Sequence, residues 1–182
     1  MLEKRYFYDT VAVVNFLFKG YEDDEYSPKK IRQKQTEFTI KMIVTPLIIE
    51  EVCHIYFALK KADSSFKDIT LDFILTKLDE NFLLESGISN DTESIYGDYC
   101  SMLKYLNSNT PITFENGHYN TAGPKDILHL AEAKNKNCSL FITFDGGIRK
   151  AHDILKEEYP LPDIIYLRSK TKSITLEPQK KS

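Results

Sequence analysis

The sequence predicts an α/β domain of three layers, a parallel β-sheet with helices packed on its faces. Three observations lead there. Strand–turn–helix units occupy residues 5–20 and 38–61, a unit in which helices and strands alternate occupies 124–167, and 182 residues with 42% apolar content are enough for one core but not for two.

Arg5 to Tyr8 is a short strand-like run rich in aromatics. Asp9-Thr10 follows as a polar turn, and Val11 to Lys19 reads as a helix stopped by Gly20. That helix is apolar nearly all round, so it should be deeply buried. Residues 21–37 run acidic and then basic without periodicity, as a surface loop or a loose helical insertion would. Phe38 to Val44 is the next strand, and Thr45-Pro46 is a helix start, an N-cap followed by proline at the first helical position. The helix should reach about Lys61. Ile69 to Leu78 and Asp91 to Leu106 look helical, with a brief apolar stretch at Phe82 to Leu84 between them. Asn107 to Gly123 is turn-rich and belongs on the surface. Then come a helix from Pro124 to Lys136, a strand from Ser139 to Phe144, a helix from Ile148 to Glu157 and a strand from Ile164 to Leu167. The expected domain therefore covers residues 1–168, and the polar, basic residues 169–182 form a flexible tail.

The formal charge of −3 excludes a globally basic nucleic-acid binder, so any such contact must be local. Lys29, Lys30, Arg32 and Lys34 form one basic patch, Arg149 and Lys150 a second, and Arg168, Lys170, Lys172, Lys180 and Lys181 a third. Cys53, Cys100 and Cys138 contain no C-x-x-C pair, and their odd number speaks for a reducing compartment. The apolar run Val11 to Phe18 is too short to span a bilayer and has no small-residue cleavage site, so no membrane association and a cytoplasmic location are expected.

Ligands of open parallel sheets bind at the carboxyl ends of the strands. Asp9 ends the first strand there and Asp145 the strand Leu140 to Phe144. Glu51 lies in the second turn of the helix after Phe38 to Val44, and Asp126 opens a helix whose N-terminus reaches the same edge if it runs antiparallel to the next strand. On its helix Glu51 borders the apolar stripe Ile48, Val52, Ile55 and Leu59, whereas Glu50 points away. Crowded carboxylates repel unless a cation neutralises them. An all-oxygen site suits a hard ion, Mg²⁺ or Mn²⁺, and one or two such ions serve phosphoryl-transfer chemistry.

Y-D-T at Tyr8 to Thr10, I-V-T-P-L-I-I-E-E-V at Ile43 to Val52, K-D-I-L-H-L-A-E-A at Lys125 to Ala133 and F-I-T-F-D at Phe141 to Asp145 resemble the four acidic motifs of PIN domains, in order over residues 5–168. The last two, 19 residues apart from Asp126 to Asp145, are the most specific. The resemblance implies a PIN-like sheet flanked by helices, with Asp9, Glu51, Asp126 and Asp145 as metal ligands and catalytic acids and Thr143 orienting them. It also implies a ribonuclease of RNA processing or of a toxin–antitoxin pair. Val11 departs from the family, which often has Asn or Ser there, and Gly146-Gly147 replace a polar or acidic residue.

Thr10, Thr143, His129, Arg149 and Lys150 are the candidate substrate contacts; for Thr10 and His129, helix-start and packing roles compete. Taken singly, Asp9 also reads as an N-cap, Asp126 as a first-turn acid facing the helix dipole, and Asp145 as a turn residue. A haloacid-dehalogenase-like phosphatase would need a second Asp where Val11 stands, and no Gly-rich P-loop exists. The expected function is a divalent-metal-dependent nuclease hydrolysing single-stranded RNA. The alternative is a degenerate PIN-like module that binds RNA or protein without cutting. Expected partners are single-stranded RNA, an antitoxin protein and further copies of the chain.

Overall fold

The computed structural model describes residues 3–19, 21, 24–34, 39–85, 92–115 and 117–168. Gly20, the expected helix stop, Phe38 and the tail at 169–182 lie outside the described residues. The strands are β1 (Glu3–Tyr8), β2 (Thr39–Val44), β3 (Leu83–Leu84), β4 (Phe114–Glu115), β5 (His118–Tyr119), β6 (Leu140–Thr143) and β7 (Asp163–Tyr166). The helices are α1 (Thr10–Phe18), α2 (Pro28–Gln33), α3 (Pro46–Ala62), α4 (Leu71–Asn81), α5 (Thr92–Asn109), α6 (Pro124–Asn135) and α7 (Gly146–Leu155).

Five strands form one parallel sheet in the order β3-β2-β1-β6-β7. The chain thus grows outward from β1 through β2 and β3, then crosses to the other side of β1 for β6 and β7. Strands in such a sheet are covered by helices on both faces, which explains their unbroken apolar runs. Phe7, Tyr8, Ile43, Val44, Phe141 and Ile142 are all buried, and Phe7 and Phe141 stack with ring centroids 5.2 Å apart. Burial increases along β1, β2 and β6, so the sheet is wet at its amino edge and dry at its carboxyl edge. Near the wet edge Lys41 pairs with Glu3 at 2.8 Å, and Arg5 pairs with Glu85.

Helix α1 is buried over most of its circumference, as its composition predicts, with Val11 as the exposed position. Helix α3 buries Ile48, Val52 and Tyr56, while Ile55 and Leu59 are half-buried, so the buried stripe is rotated slightly toward the larger aromatic. Thr45 occupies the N-cap position of α3, but its hydroxyl makes no cap bond and donates instead to Glu132 Oε2 at 2.9 Å. Three local expectations change. Within 21–37 the short helix α2 is capped by Ser27 and buries Ile31; the stretch at Phe82 to Leu84 contains the edge strand β3; and the turn-rich segment before α6 holds the β4–β5 hairpin. Two-residue strands give too few alternating positions for a periodicity to register.

Tyr8, at the dry end of β1, donates its hydroxyl to the carbonyl of Tyr26 at 2.9 Å. Tyr8→Phe should therefore lower unfolding stability by about 1 kcal/mol, the usual net value of such a bond. Urea denaturation checks this, and an unchanged midpoint would mean that water replaces the phenol at no cost.

Candidate active site

Where neighbouring strands send their chains to opposite sides of the sheet, a crevice opens at the carboxyl edge. Here that place lies between β1 and β6. Asp9 directly follows β1 and continues the ladder, its N–H donating to the Ile142 carbonyl at 3.2 Å. Asp145 lies just past the end of β6. Thr143, the last residue of β6, joins the two: its hydroxyl donates to Asp9 Oδ2 at 2.6 Å and accepts the Asp145 N–H at 2.8 Å.

Each aspartate also takes a main-chain N–H at a helix start, Asp9 and Asp145 as N-caps and Asp126 from the first turn of α6. Asp9 Oδ1 accepts the Ala12 N–H at 2.7 Å, Asp145 Oδ1 accepts the Gly147 N–H at 2.6 Å, and Asp126 Oδ2 accepts the Gly123 N–H at 2.8 Å. The capping roles and the convergence are therefore compatible, because a cap occupies one oxygen and aims the other. Asp126 Oδ1 and Asp145 Oδ2 take no hydrogen bond from a described residue.

Glu51 faces the same edge from the second turn of α3, while Glu50 is exposed and pairs with His54. Glu51 is not open, however. Its Oε2 accepts the Thr10 hydroxyl and meets His129 Nε2 at 3.0 Å, and its Oε1 lies 3.2 Å from the Lys125 ammonium. His129 is only 2% exposed, and its Nδ1 faces Glu132 Oε2 at 3.5 Å, an ion-pair contact without the alignment of a hydrogen bond. The ring of His129 thus sits between two carboxylates, and both Thr10 and His129 touch Glu51 rather than the open cleft.

The charges divide accordingly. Burial would raise the Glu51 carboxyl, but hydrogen bonds from His129 and Thr10 and the cationic neighbours outweigh it and hold it down at about 2. Burial would lower His129, but the flanking Glu132 and Glu51 raise it to about 9. Asp9 is 1% exposed, and burial pushes its carboxyl up to about 7 despite the Thr143 and Ala12 bonds, with Asp145 adding repulsion. Burial also raises Asp126, partly offset by the Gly123 N–H, with the charges of Asp145 and Glu51 raising it further. Glu51 is compensated from within the protein, whereas Asp9 and Asp126 are not.

A cleft of about 360 Å³ opens beside these acids, lined by Asp126 and Asp145, by Lys150 of α7, and by residues of the β4–β5 hairpin and its exit. Arg149 goes elsewhere, its guanidinium lying 5.3 Å from the Tyr166 ring centroid, so the predicted basic pair is split. Gly147 answers to a packing demand. A Cβ there would come within 2.8 Å of the Thr121 carbonyl oxygen, so glycine is what lets the hairpin's exit pack against the start of α7. The donor set, carboxylate oxygens only, fits a hard cation. No group of three or more His, Cys, Asp and Glu side chains stands at metal-ligand spacing among the described residues. The arrangement thus suits an ion held by one or two carboxylates that keeps several waters, as Mg²⁺ commonly does.

Several contributors carry no signal of their own in the sequence. Lys125 and Glu132 lie within the motif around Asp126, yet only the fold shows that they bracket the Glu51–His129 pair. Thr45 reads as a cap, and Thr121 and the hairpin aromatics read as surface.

No protein-family profile matches the sequence, and no curated protein matches it. Solved structures do. VapBC2 from Rickettsia felis, in a crystal structure bound to a DNA fragment from their promoter, aligns over 90% of this chain and 98% of that one, with TM-score 0.52 and 12% identity. VapBC-1 from nontypeable Haemophilus influenzae aligns over 89% and 97%, with TM-score 0.51 and 13% identity. The fold is PIN-like. Likeness at this identity concerns the course of the chain. In this PIN-like sheet the acids of the first and last motifs flank the central crevice, and those of the two middle motifs are brought to its rim by α3 and α6.

The raised pKa values set a pH dependence. An acid whose folded pKa is raised favours the fold below its unfolded value, 3.8 for Asp9, and this contribution is lost as pH rises through about 7. His129 acts in the same sense at higher pH, its contribution full below 6.5 and lost through about 9. Without divalent cations, Asp9→Asn, which can keep the Ala12 cap, should gain melting temperature over wild type progressively between pH 4 and 7. Parallel melting curves across that range would contradict the burial of an uncompensated Asp9.

Proposed function

We propose that this protein is a divalent-metal-dependent ribonuclease that hydrolyses phosphodiester bonds of single-stranded RNA. The observation that carries the reading is the Asp9–Thr143–Asp145 bridge across the crevice between β1 and β6, with Asp126 capped so that its second oxygen is left open.

Asp126 and Asp145, which line the cleft, would hold the ion, with Asp9 behind them. When bound, Mg²⁺ or Mn²⁺ polarises the phosphodiester, lowers the pKa of an attacking water and stabilises the leaving oxygen. The protein's own groups then have separate tasks. Thr143 locks the Asp9 carboxylate and the Asp145 main chain in one geometry, so the ligands need no reorganisation when substrate arrives. Glu51, its charge met by His129 and Lys125, would fix those two cationic groups at the rim. Lys150, on the cleft wall, would meet a backbone phosphate. The fold is shared with toxin–antitoxin complexes, and this supports a role as the toxin of such a pair, with an antitoxin protein and further copies of the chain as partners.

The degenerate-module reading has one observation in its favour: Lys125 approaches Glu51 from the solvent side, as a protein cation in a metal's place would. A cleavage assay separates the two. Purified protein should cut single-stranded RNA in Mn²⁺ or Mg²⁺ and stop on chelation, and Asp126→Asn and Asp145→Asn should each lower kcat on the order of 100-fold. Glu50→Gln should cut as wild type does. Saturating Mn²⁺ should also raise the melting temperature, by roughly 2.7 kcal/mol of linkage at about 100 times its Kd. A wild type that cuts nothing and whose melting curve ignores Mn²⁺ would leave the binding module as the better description.

A further inference from the structure

The β4–β5 hairpin plays no part in the sheet, yet it presents two aromatic rings to solvent. Phe114 is 61% and Tyr119 43% exposed, and the two face each other across the hairpin with centroids 4.8 Å apart and planes inclined at 56°. Exposed apolar residues scattered singly are ordinary, but two rings in contact beside a polar cleft form a contiguous patch of the kind that marks a contact surface.

The hairpin is braced rather than loose. Asn120 accepts the Thr113 N–H at 3.0 Å through Oδ1 and donates to the Pro111 carbonyl at 2.8 Å, and Gly117 supplies the positive φ of its turn. It is also seated on the acid site. The Tyr119 ring lies where a Cβ on Gly123 would come within 2.7 Å of it, and Gly123 is the residue whose N–H holds Asp126. Phe114 and Tyr119 line the same cleft as Asp126, Asp145 and Lys150. Thr121, on that lining and 7% exposed, has a hydroxyl with no partner among the described residues. At about 360 Å³ the cleft is within the range of small-ligand pockets, roughly 300–1,000 Å³.

We propose that Phe114 and Tyr119 form a stacking platform for an unpaired base of the RNA strand, next to the phosphodiester held at Asp126 and Asp145. The inference rests on the ribonuclease reading above and names the residues that would hold its single-stranded substrate by a base. Aromatic rings stack on any base, so the platform selects single strands over duplex without reading sequence. Lys150 on the same wall supplies the charge for the adjoining phosphate, a combination that suits a nucleotide better than an apolar peptide.

Single-stranded RNA carrying 2-aminopurine, mixed with protein by stopped flow in Mn²⁺ so that binding is read before turnover, tests this directly. Wild type should quench the fluorophore. Phe114→Ala combined with Tyr119→Ala should abolish the quench and weaken binding on the order of tenfold, while Phe114→Tyr combined with Tyr119→Phe, which keeps both rings, should retain both signals. An abasic site at the stacked position should cost wild type a similar factor and the alanine variant nothing. Undiminished quench and affinity in the alanine variant would overturn the platform, and its failure to bind an antitoxin-type protein instead would mark the rings as a protein contact. Wild type that binds no single-stranded RNA would also overturn it. The two readings fail separately: quenching without cleavage at later times defeats the nuclease and keeps the platform, whereas cleavage with unchanged kcat/KM in the alanine variant does the reverse.

Discussion

The pairing of β1 with β6 is the constraint on which the rest of the carboxyl edge depends. Phe7 lies opposite Phe141 and Tyr8 opposite Ile142, and the Thr143 hydroxyl reaches Asp9 across 134 positions of sequence. Closing so long a loop costs entropy that only burial can offset. The stacked Phe7 and Phe141 rings, fully buried between the helical layers, provide it where the strands approach the crevice. With that register fixed, Asp9 and the Asp145 main chain come within reach of one hydroxyl, and α1 and α7 start at the same edge.

The helix starts then solve an electrostatic problem as well as a geometric one. Main-chain N–H groups at a helix N-terminus favour a carboxylate, and three of the four acids use them. Glu51 comes from inside a helix and has no such donors. It is held by side chains instead, through Thr10, His129 and Lys125. This gives the site two kinds of acid. Glu51 is compensated by the protein, whereas burial penalises the charged forms of Asp9 and Asp126, most of all at Asp9.

Much of this was legible in the sequence because it follows from local rules. The apolar run of α1, the Pro46 start of α3 and the alternation of α6, β6, α7 and β7 appear near the predicted bounds, and the parallel sheet follows from that alternation. The four acids could be placed at one edge because each lies at or near a strand-to-helix turn or a helix start. Long-range partners were not legible. That the Thr45 hydroxyl goes to Glu132, that Lys125 reaches Glu51, and that Arg149 turns toward Tyr166 while Lys150 faces the cleft depend on contacts that no spacing encodes. The hairpin was hidden for a different reason: its strands are two residues long, and its aromatics are interrupted by Glu115, Asn116, Gly117 and His118.

The contact at Gly147 bears on how such a protein can change over time. At that point the main-chain carbonyl of Thr121 passes so close that a Cβ on residue 147 would meet it at 2.8 Å. A close approach to main-chain atoms does not depend on which side chains the hairpin displays. Phe114 and His118 line the cleft without touching the steric limit at Gly147. Substitution at Gly147 has no such freedom, because any Cβ must push the Thr121 backbone away. The steric demand at the start of α7 thus comes down to a single missing methyl group.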